Sequence, residues 1–448
     1  MAAPARAVAL ETLRRVHTGR GDLASSLERG RMRLADERDR ALAAEIALGT
    51  LRWRAALDHV IAWAGQRSID AFDAEVLDIL RLSAYQILHL DRVPASAAVN
   101  DAVTLARQTG HARAAGAVNA ILRRVSRGRS ALPLPDATDP RAHLSVTWSH
   151  PGWLVDRWLE RYGLEAALEW VRFNNAPAPL TLRANTLLTT RDDLARALAR
   201  EGVVTRPCVY APEGLVVASG SPFRASPAAE GHFLAQDEAS QLVGAVAALP
   251  PLGRAADVCA APGGKTAQLA AAAGPAGIIV AGDVRSRRVR LLRQTLRAAR
   301  VETAHVVCHD VLGGLPFGAV FDTVLVDVPC SSLGTIRRDP DIRWSRRDTD
   351  LADLADRQLR MLGAAAAGVR AGGVLVYATC SSEPEENEAV VDAFLASHPA
   401  FTLEDPRSID AAVPHGVFAC LDDRGCLRTL PHRHGLEAFF AARLRHRA

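Results

Sequence analysis

From about residue 231 onward, five apolar runs alternate with helical patterns: RAADVCA, GIIVAGD, AHVVCHD, FDTVLVDVP and GGVLVYATC. Runs that are apolar throughout, rather than at every second residue, read as strands buried on both faces. Helices between such strands imply parallel pairing through right-handed crossovers, which gives a doubly wound Rossmann-like α/β sheet. That architecture leaves one place for chemistry, the carboxyl ends of the strands.

The chain is 448 residues long, enough for two or three domains. Hydrophobic residues make up 49% and charged residues 23%, a globular balance, and no apolar run is long enough to span a bilayer. The opening MAAPARAVALETLRR lacks an apolar core followed by a cleavage site, so a cytoplasmic protein is expected. Seven cysteines without tight pairing argue for reduced thiols. Cys420 and Cys426 near His432 and His434 match no common zinc spacing, and no metal is expected. Residues 1–130 hold 20 Arg against 14 Asp and Glu, a basic excess that suits an RNA-facing module and equally a solvated surface. Of 54 basic residues only Lys265 is a lysine, which asks for a local reason.

Three regions follow one another. Residues 5–125 read as successive helices, with Val76, Ile79, Leu80, Ile87 and Leu88 on one helical face, and 126–140 as a linker. This defines an all-α domain, 1–128. Residues 141–230 combine a helix, in which Trp153, Leu154, Trp158, Leu159 and Tyr162 recur as core, with strand-like LTLRAN, GVVT and GLVVA around a helix at 192–199, a small α/β module. Residues 231–448 form the doubly wound domain.

The first strand of that domain runs into Cys259, Ala260, Ala261, Pro262, Gly263, Gly264, Lys265 and Thr266, then an Ala-rich helix. Glycines allow close backbone approach and a helix start offers free N–H groups. Cys259 stands where a phosphate-binding P-loop needs glycine, and no G-x-G-x-x-G is present. What fits is a nucleoside with an amino-acid tail, S-adenosyl-L-methionine, its tail meeting amide N–H groups and Lys265; a bare strand-to-helix turn is the competing reading. Asp283 at the second strand end is placed for ribose hydroxyls and Asp310 at the third for the adenine amino group, although either alone would serve as a helix cap. The fourth and fifth strands end in Asp327-Val328-Pro329-Cys330 and Thr379-Cys380. If they pair, about 4.8 Å apart, both thiols face one pocket.

Carbon 5 of cytosine is a poor nucleophile, but thiolate attack at carbon 6 makes the ring an enamine able to accept a methyl cation. A free thiol titrates near about 8.5, so positive surroundings or a helix start must favour the thiolate, both plausible at Cys380. Asp327 is placed to balance charge at N3 of the base and Cys330 to assist proton removal from C5. Spacing alone does not separate the roles of the two cysteines.

VCAAPGGKT, the Asp283 and Asp310 strand ends, DVPCSS and YATCSSEPEEN together resemble the RNA cytosine-C5 methyltransferases over roughly residues 140–448. The resemblance implies Cys259 to Lys265 with Asp283, Asp310 and Asp327 as the cofactor set, Cys380 as nucleophile and Cys330 as the residue that helps release product. NNAPAPLTLRANTL and PHRHGLEAFFAARLR are similar to the same family, and residues 1–125, ending in NAILRRV, are similar to the RNA-binding antitermination factor NusB. The combination points to the RsmB (Sun) branch, which implies a monomer acting on a cytosine of 16S rRNA, free or in an assembling small subunit, with no membrane partner. Ser332 departs from the family, where many members have glycine. Since the target base must be unstacked, Arg14, Arg15, Arg123, Arg124, Arg127 and Arg129 are candidate phosphate contacts, and Arg337, Arg338 and Arg343 are placed near RNA by their position after the Pro-Cys motif. The alternatives are an RNA-binding assembly factor with an inert methyltransferase scaffold, and the same chemistry on transfer RNA or DNA.

Overall fold

The computed structural model describes residues 3–409 and 413–448, so the first two residues of the 1–128 domain and residues 410–412 of the 231–448 domain lie outside the described residues. The chain forms two compact units, 1–177 with 336–348, and 178–335 with 349–448. The helix Gly152–Asn175 groups with the N-terminal helices in the first unit.

In the first unit, helix follows helix from Pro4–His17 to Ala115–Gly128. They enclose a core containing Leu13, Ile46, Leu51, Leu57, Ile61, Leu80 and Leu122. The helix Ala74–His89 starts where Asp73 accepts hydrogen bonds from the amides of Glu75 and Val76. Its apolar residues were expected on one face, but every residue from Val76 to Ile87 is buried. Burial all round requires its polar groups to find partners: Arg81 makes a two-pronged bond to Asp58, at 2.6 and 2.8 Å, and the Gln86 amide donates to the Leu82 carbonyl. In Gly152–Asn175, Trp158 and Trp170 are buried and stack at 5.2 Å, while Trp153, Leu159 and Tyr162 are half-buried.

The chain leaves the second unit after Thr335 and rejoins it at Thr349, and the excursion 336–348 belongs to the first. Arg343 is fully buried, donating to the carbonyls of Arg52 and Ser149 and to Asn175 Oδ1. The Arg337 guanidinium donates to the carbonyls of Ala176 and Pro177. Both therefore hold the excursion in place, which corrects the expectation that they face RNA.

The second unit contains two sheets. The small one has the order β2(Val204–Pro207)-β3(Gly214–Ser219)-β1(Thr181–Ala184)-β4(Phe233–Ala235), packed on the helix Arg191–Arg200 through Leu194 and Leu198. Its fourth strand lies beyond residue 230, so this module extends further than the sequence reading placed it. The large sheet has the order β10(Phe401–Leu403)-β12(Phe439–His446)-β9(Val369–Thr379)-β8(Phe321–Asp327)-β5(Arg254–Asp257)-β6(Ile278–Asp283)-β7(Ala304–Cys308), with β11(Leu427–Thr429) paired to β12. Strands β5 to β9 run parallel and β12 antiparallel to β9. Alternate residues enter two cores, Ala255, Leu325 and Val376 on one side and Ala256, Val324 and Leu375 on the other. Both faces are thus covered, as continuous apolar strands require. Successive connections from β5 go to opposite sides of it, to β6 and then to β8, so the strand order reverses there and opens a crevice.

Candidate functional site

A cavity of about 320 Å³ opens at this reversal, lined by residues that follow β5, β6, β7, β8 and β9. Of the residues singled out in the sequence, Cys259, Ala261, Asp283, Asp310, Asp327, Cys330 and Cys380 line it. Ala260, Pro262, Gly263, Gly264 and Lys265 do not, and shape the wall from behind. Gly263 has φ +116°, a conformation side chains rarely adopt, and it turns the chain into the helix Gly264–Ala273.

Lys265 does not point free toward a ligand. Its Nζ lies 2.8 Å from Asp327 Oδ2. Burial opposes its charge, yet the Asp327 carboxylate holds the ammonium above its ordinary pKa. A compact point charge reaches this carboxylate where a planar guanidinium needs more room, a reason for the chain's single lysine.

Asp283 ends β6 as expected and is nearly buried, accepting from the Arg285 amide at 3.2 Å and paired with Arg288 at 3.0 Å. Arg288 also donates to the Ala261 carbonyl at 2.6 Å, fastening the first loop to the second. Strand β7 stops at Cys308, so Asp310 lies in the following turn, where it accepts from the Leu312 amide at 3.1 Å. It caps that turn and lines the cavity as well. Next to it, His309 exposes to the cavity wall a ring whose Nε2 is buried without a hydrogen-bond partner among the described residues. A nucleoside with polar base edges fits such a wall, since it would satisfy that nitrogen and find a carboxylate at Asp283 for its ribose.

Sequence reasoning missed Asp257, a lone acid closing the apolar strand β5. It is buried, accepts from Thr266 Oγ1 at 2.7 Å, and leaves its other oxygen without a partner among the described residues. Burial, helped by the nearby Asp327 charge, pushes its carboxyl up to about 7 against the Thr266 hydrogen bond. An acidic residue interrupting an apolar run was the available signal.

The two cysteines meet because β8 and β9 pair in parallel with Asp327 opposite Ala378. Cys330 Sγ and Cys380 Sγ are 3.2 Å apart. Their loops are laced together: Ser331 Oγ and Ser381 Oγ lie 3.1 Å apart, and the fully buried Glu386 accepts from the Ser331 amide, the Gln358 amide group and Ser381 Oγ. Asn387 accepts from Thr379 Oγ1 at 2.6 Å and donates to the Ser381 carbonyl at 3.0 Å. Glu386 and Asn387, after the Thr-Cys motif, are therefore scaffold for the loops. Gly334 donates to the Cys380 carbonyl at 2.9 Å, and a Cβ on it would lie 1.8 Å from the Ala438 carbonyl oxygen.

The thiols are not equivalent. Cys330 is buried and Cys380 half-buried. The hydrogen bond from Cys330 lowers the Cys380 pKa, assisted by Ser332 and the Lys265 charge, against burial and the Asp327 charge. The same bond, with burial, raises Cys330 well above the thiol range. The pair therefore favours the thiolate at Cys380 over the thiolate at Cys330. Ser332 Oγ lies 3.6 Å from Cys380 Sγ, and the residue has φ +61°, a conformation that costs a serine and not a glycine.

Outside this site, Arg14 pairs with Glu75 at 2.7 Å, Arg123 donates to Asn119, and Arg124 donates to the Ala64 carbonyl and lies over the Trp63 ring. Arg127 and Arg129 are exposed. Among the described residues, no group of three or more His, Cys, Asp or Glu is placed to hold a metal, and no helix is long and apolar enough to cross a membrane.

Comparison with known proteins matches residues 250–445 to the 16S rRNA methyltransferase RsmB/F family, residues 3–127 to the NusB family and residues 150–224 to the RsmF/B-like ferredoxin-like domain. The chain is 35% identical to ribosomal RNA small subunit methyltransferase B of Pseudomonas putida, over 92% of each chain. It is 36% identical to the Vibrio cholerae protein of the same name, over 81% of this chain and 82% of that one. Among solved structures, a methyltransferase homolog protein from Pyrococcus horikoshii aligns with a TM-score of 0.59 at 26% identity, covering 69% of this chain and 99% of that one.

Proposed function

This chain belongs to the RsmB/F family of 16S rRNA methyltransferases, which use S-adenosyl-L-methionine, and from that premise we propose that it methylates carbon 5 of a cytosine in small-subunit rRNA through a covalent Cys380 adduct. The observation that carries this reading is the pair of unequal sulfurs beside Asp327 in one cavity.

When bound, S-adenosyl-L-methionine supplies an electrophilic methyl group. Cys259, Ala261, Asp283 and Asp310 in the cavity wall would hold it, with Ala260, Pro262, Gly263, Gly264 and Lys265 shaping that wall from behind and Asp327 shared between cofactor and base. The Cys380 thiolate adds to C6 of the cytosine, and the resulting electron density at C5 forms the new bond to the methyl carbon as that carbon's bond to the donor sulfur breaks, the pair going to sulfur and leaving the neutral thioether S-adenosylhomocysteine. As the thiolate adds, N3 takes up a proton delivered through Asp327, whose carboxyl group the Lys265 ammonium holds at 2.8 Å, so that no net negative charge stays on the ring, and N3 returns the proton when the sulfur leaves. Loss of the C5 proton to a base then expels the Cys380 sulfur as thiolate and restores the aromatic ring. Cys330, once Cys380 is bonded to carbon, has lost its hydrogen-bond acceptor and can lose its proton to serve as that base. Residues 1–128 and 141–230 capture the RNA and residues 231–448 carry the chemistry, in a cytoplasmic monomer.

Cysteine substitution tests the roles. Cys380→Ala abolishes methylation and forms no adduct with a 16S rRNA transcript on denaturing gels, whereas Cys330→Ala accumulates the adduct. The opposite pattern overturns the assignment. Bisulfite sequencing of rRNA from a deletion strain locates the cytosine, and an unchanged pattern at every rRNA cytosine would contradict the ribosomal substrate.

A further inference from the structure

The helix Ser286–Ala298 starts at the rim of the cofactor cavity, where Arg285 and Arg288 form part of the wall. Residues 285–300 contain seven arginines and no acidic residue. Val289, Leu292 and Leu296 are the buried face. The spacing of three, three and four places Arg287, Arg290, Arg293 and Arg297 together on one flank beside that face, within an arc of about 120°, where all four are exposed.

This arrangement opposes helix stability. Guanidinium groups three and four residues apart repel one another. The first turn has basic residues and no acid, against the helix dipole. Two other exposed helices of this chain balance their charges, with Arg196 paired to Asp193 and Arg360 to Asp356, whereas Ala115–Gly128 has three arginines and no acid. Among the described residues, no ion pair involves Arg287, Arg290, Arg293 or Arg297, and Arg288 alone in the helix reaches a carboxylate, Asp283. A stripe that folding disfavours calls for an external anion.

We propose that this arginine face is a track for the phosphate backbone of the substrate RNA, leading to the catalytic cavity. Ten residues of helix separate Arg287 from Arg297, about 15 Å, long enough to follow several consecutive phosphates. Each contact releases condensed counterions, so the track supplies affinity without reading sequence and leaves recognition to other parts of the chain. The inference rests on the RNA methyltransferase reading and adds the surface that guides the strand.

The test uses the full chain, a 16S rRNA transcript and filter binding between 50 and 200 mM KCl. The triple variant Arg290→Gln/Arg293→Gln/Arg297→Gln is expected to weaken RNA binding about tenfold or more at 100 mM salt. The slope of log affinity against log salt falls by roughly 2–3, at about 0.7–0.9 per phosphate lost. Affinity for S-adenosyl-L-methionine by calorimetry stays at the wild-type value, the melting temperature stays the same or rises as the repulsion is relieved, and the triple lysine variant keeps the wild-type slope. Unchanged RNA affinity and slope in the glutamine variant overturn the proposal, as does a lysine variant as weak as the glutamine one. A wild-type chain that neither binds the cofactor nor methylates RNA defeats the enzyme reading itself. A wild-type chain that does both, beside a glutamine variant with full RNA affinity, defeats only the track.

Discussion

Two residues in the cavity region have environments that set measurable pH dependences. Asp257, pushed to about 7 by burial, binds its proton more tightly in the folded chain than in the unfolded one, where about 3.9 is usual. Between those values stability falls as pH rises, and the whole penalty is present above about 7, on the order of 4 kcal/mol at most. Asp257→Asn removes that slope, so urea unfolding at pH 5 and pH 8 should show a smaller stability difference than in the parent. Ser332 offers the second test. Its hydroxyl beside Cys380 favours the thiolate, while its left-handed backbone costs about 1–2 kcal/mol that glycine does not incur. In Ser332→Gly that gain is offset by the greater freedom of unfolded glycine, about 0.5–1 kcal/mol, so stability changes little. Alkylation of Cys380 by iodoacetamide, followed on its peptide, should move to higher pH. An unmoved midpoint would remove Ser332 from the account of thiolate formation.

At the scale of elements, two cysteine-bearing loops are made one rigid piece by the register of β8 on β9 and by Glu386 between them. Gly334 closes the same piece from the side of β12, where there is no space for a side chain. Gly334→Ala must displace backbone, at a cost of about 1–3 kcal/mol for overpacking. It should lower methylation more than it lowers cofactor affinity, measured by calorimetry, because the displaced loop carries the cysteines. Equal losses in both would mean the whole domain, and not the loop, had given way. Motif spacing named Cys330 and Cys380 but left their roles open. The asymmetry that supports Cys380 as nucleophile, greater exposure and a donated proton, arises only when the loops are side by side. Likewise the motif gives no role to Glu386 and Asn387, which the fold makes buried scaffold.

For the whole molecule, a donor held at the carboxyl ends of the strands, as proposed, would stabilise the folded state. S-adenosyl-L-methionine at a hundred times its Kd should add about 2.7 kcal/mol, read as a raised melting temperature. Absence of any shift at saturating donor would contradict the cavity assignment. The excursion 336–348 shows why position along the chain misleads at this scale. Arg337 and Arg343 follow the Pro-Cys motif in sequence, yet they sit in the helical unit, bonded to its backbone carbonyls.

The order of apolar runs, the glycine-bearing first loop, the strand-end acids and the two cysteines were sufficient to specify a doubly wound methyltransferase sheet, because periodicity and turn chemistry are local properties. Tertiary structure alone decided which arginines are buried, that Lys265 pairs with Asp327, that burial raises the Asp257 carboxyl to about 7 and that Cys380 is the sulfur whose thiolate is favoured. Those depend on burial and on charges brought within a few ångströms from distant positions, and the electrostatic energy of such contacts is set by distance and desolvation that no spacing in the chain encodes.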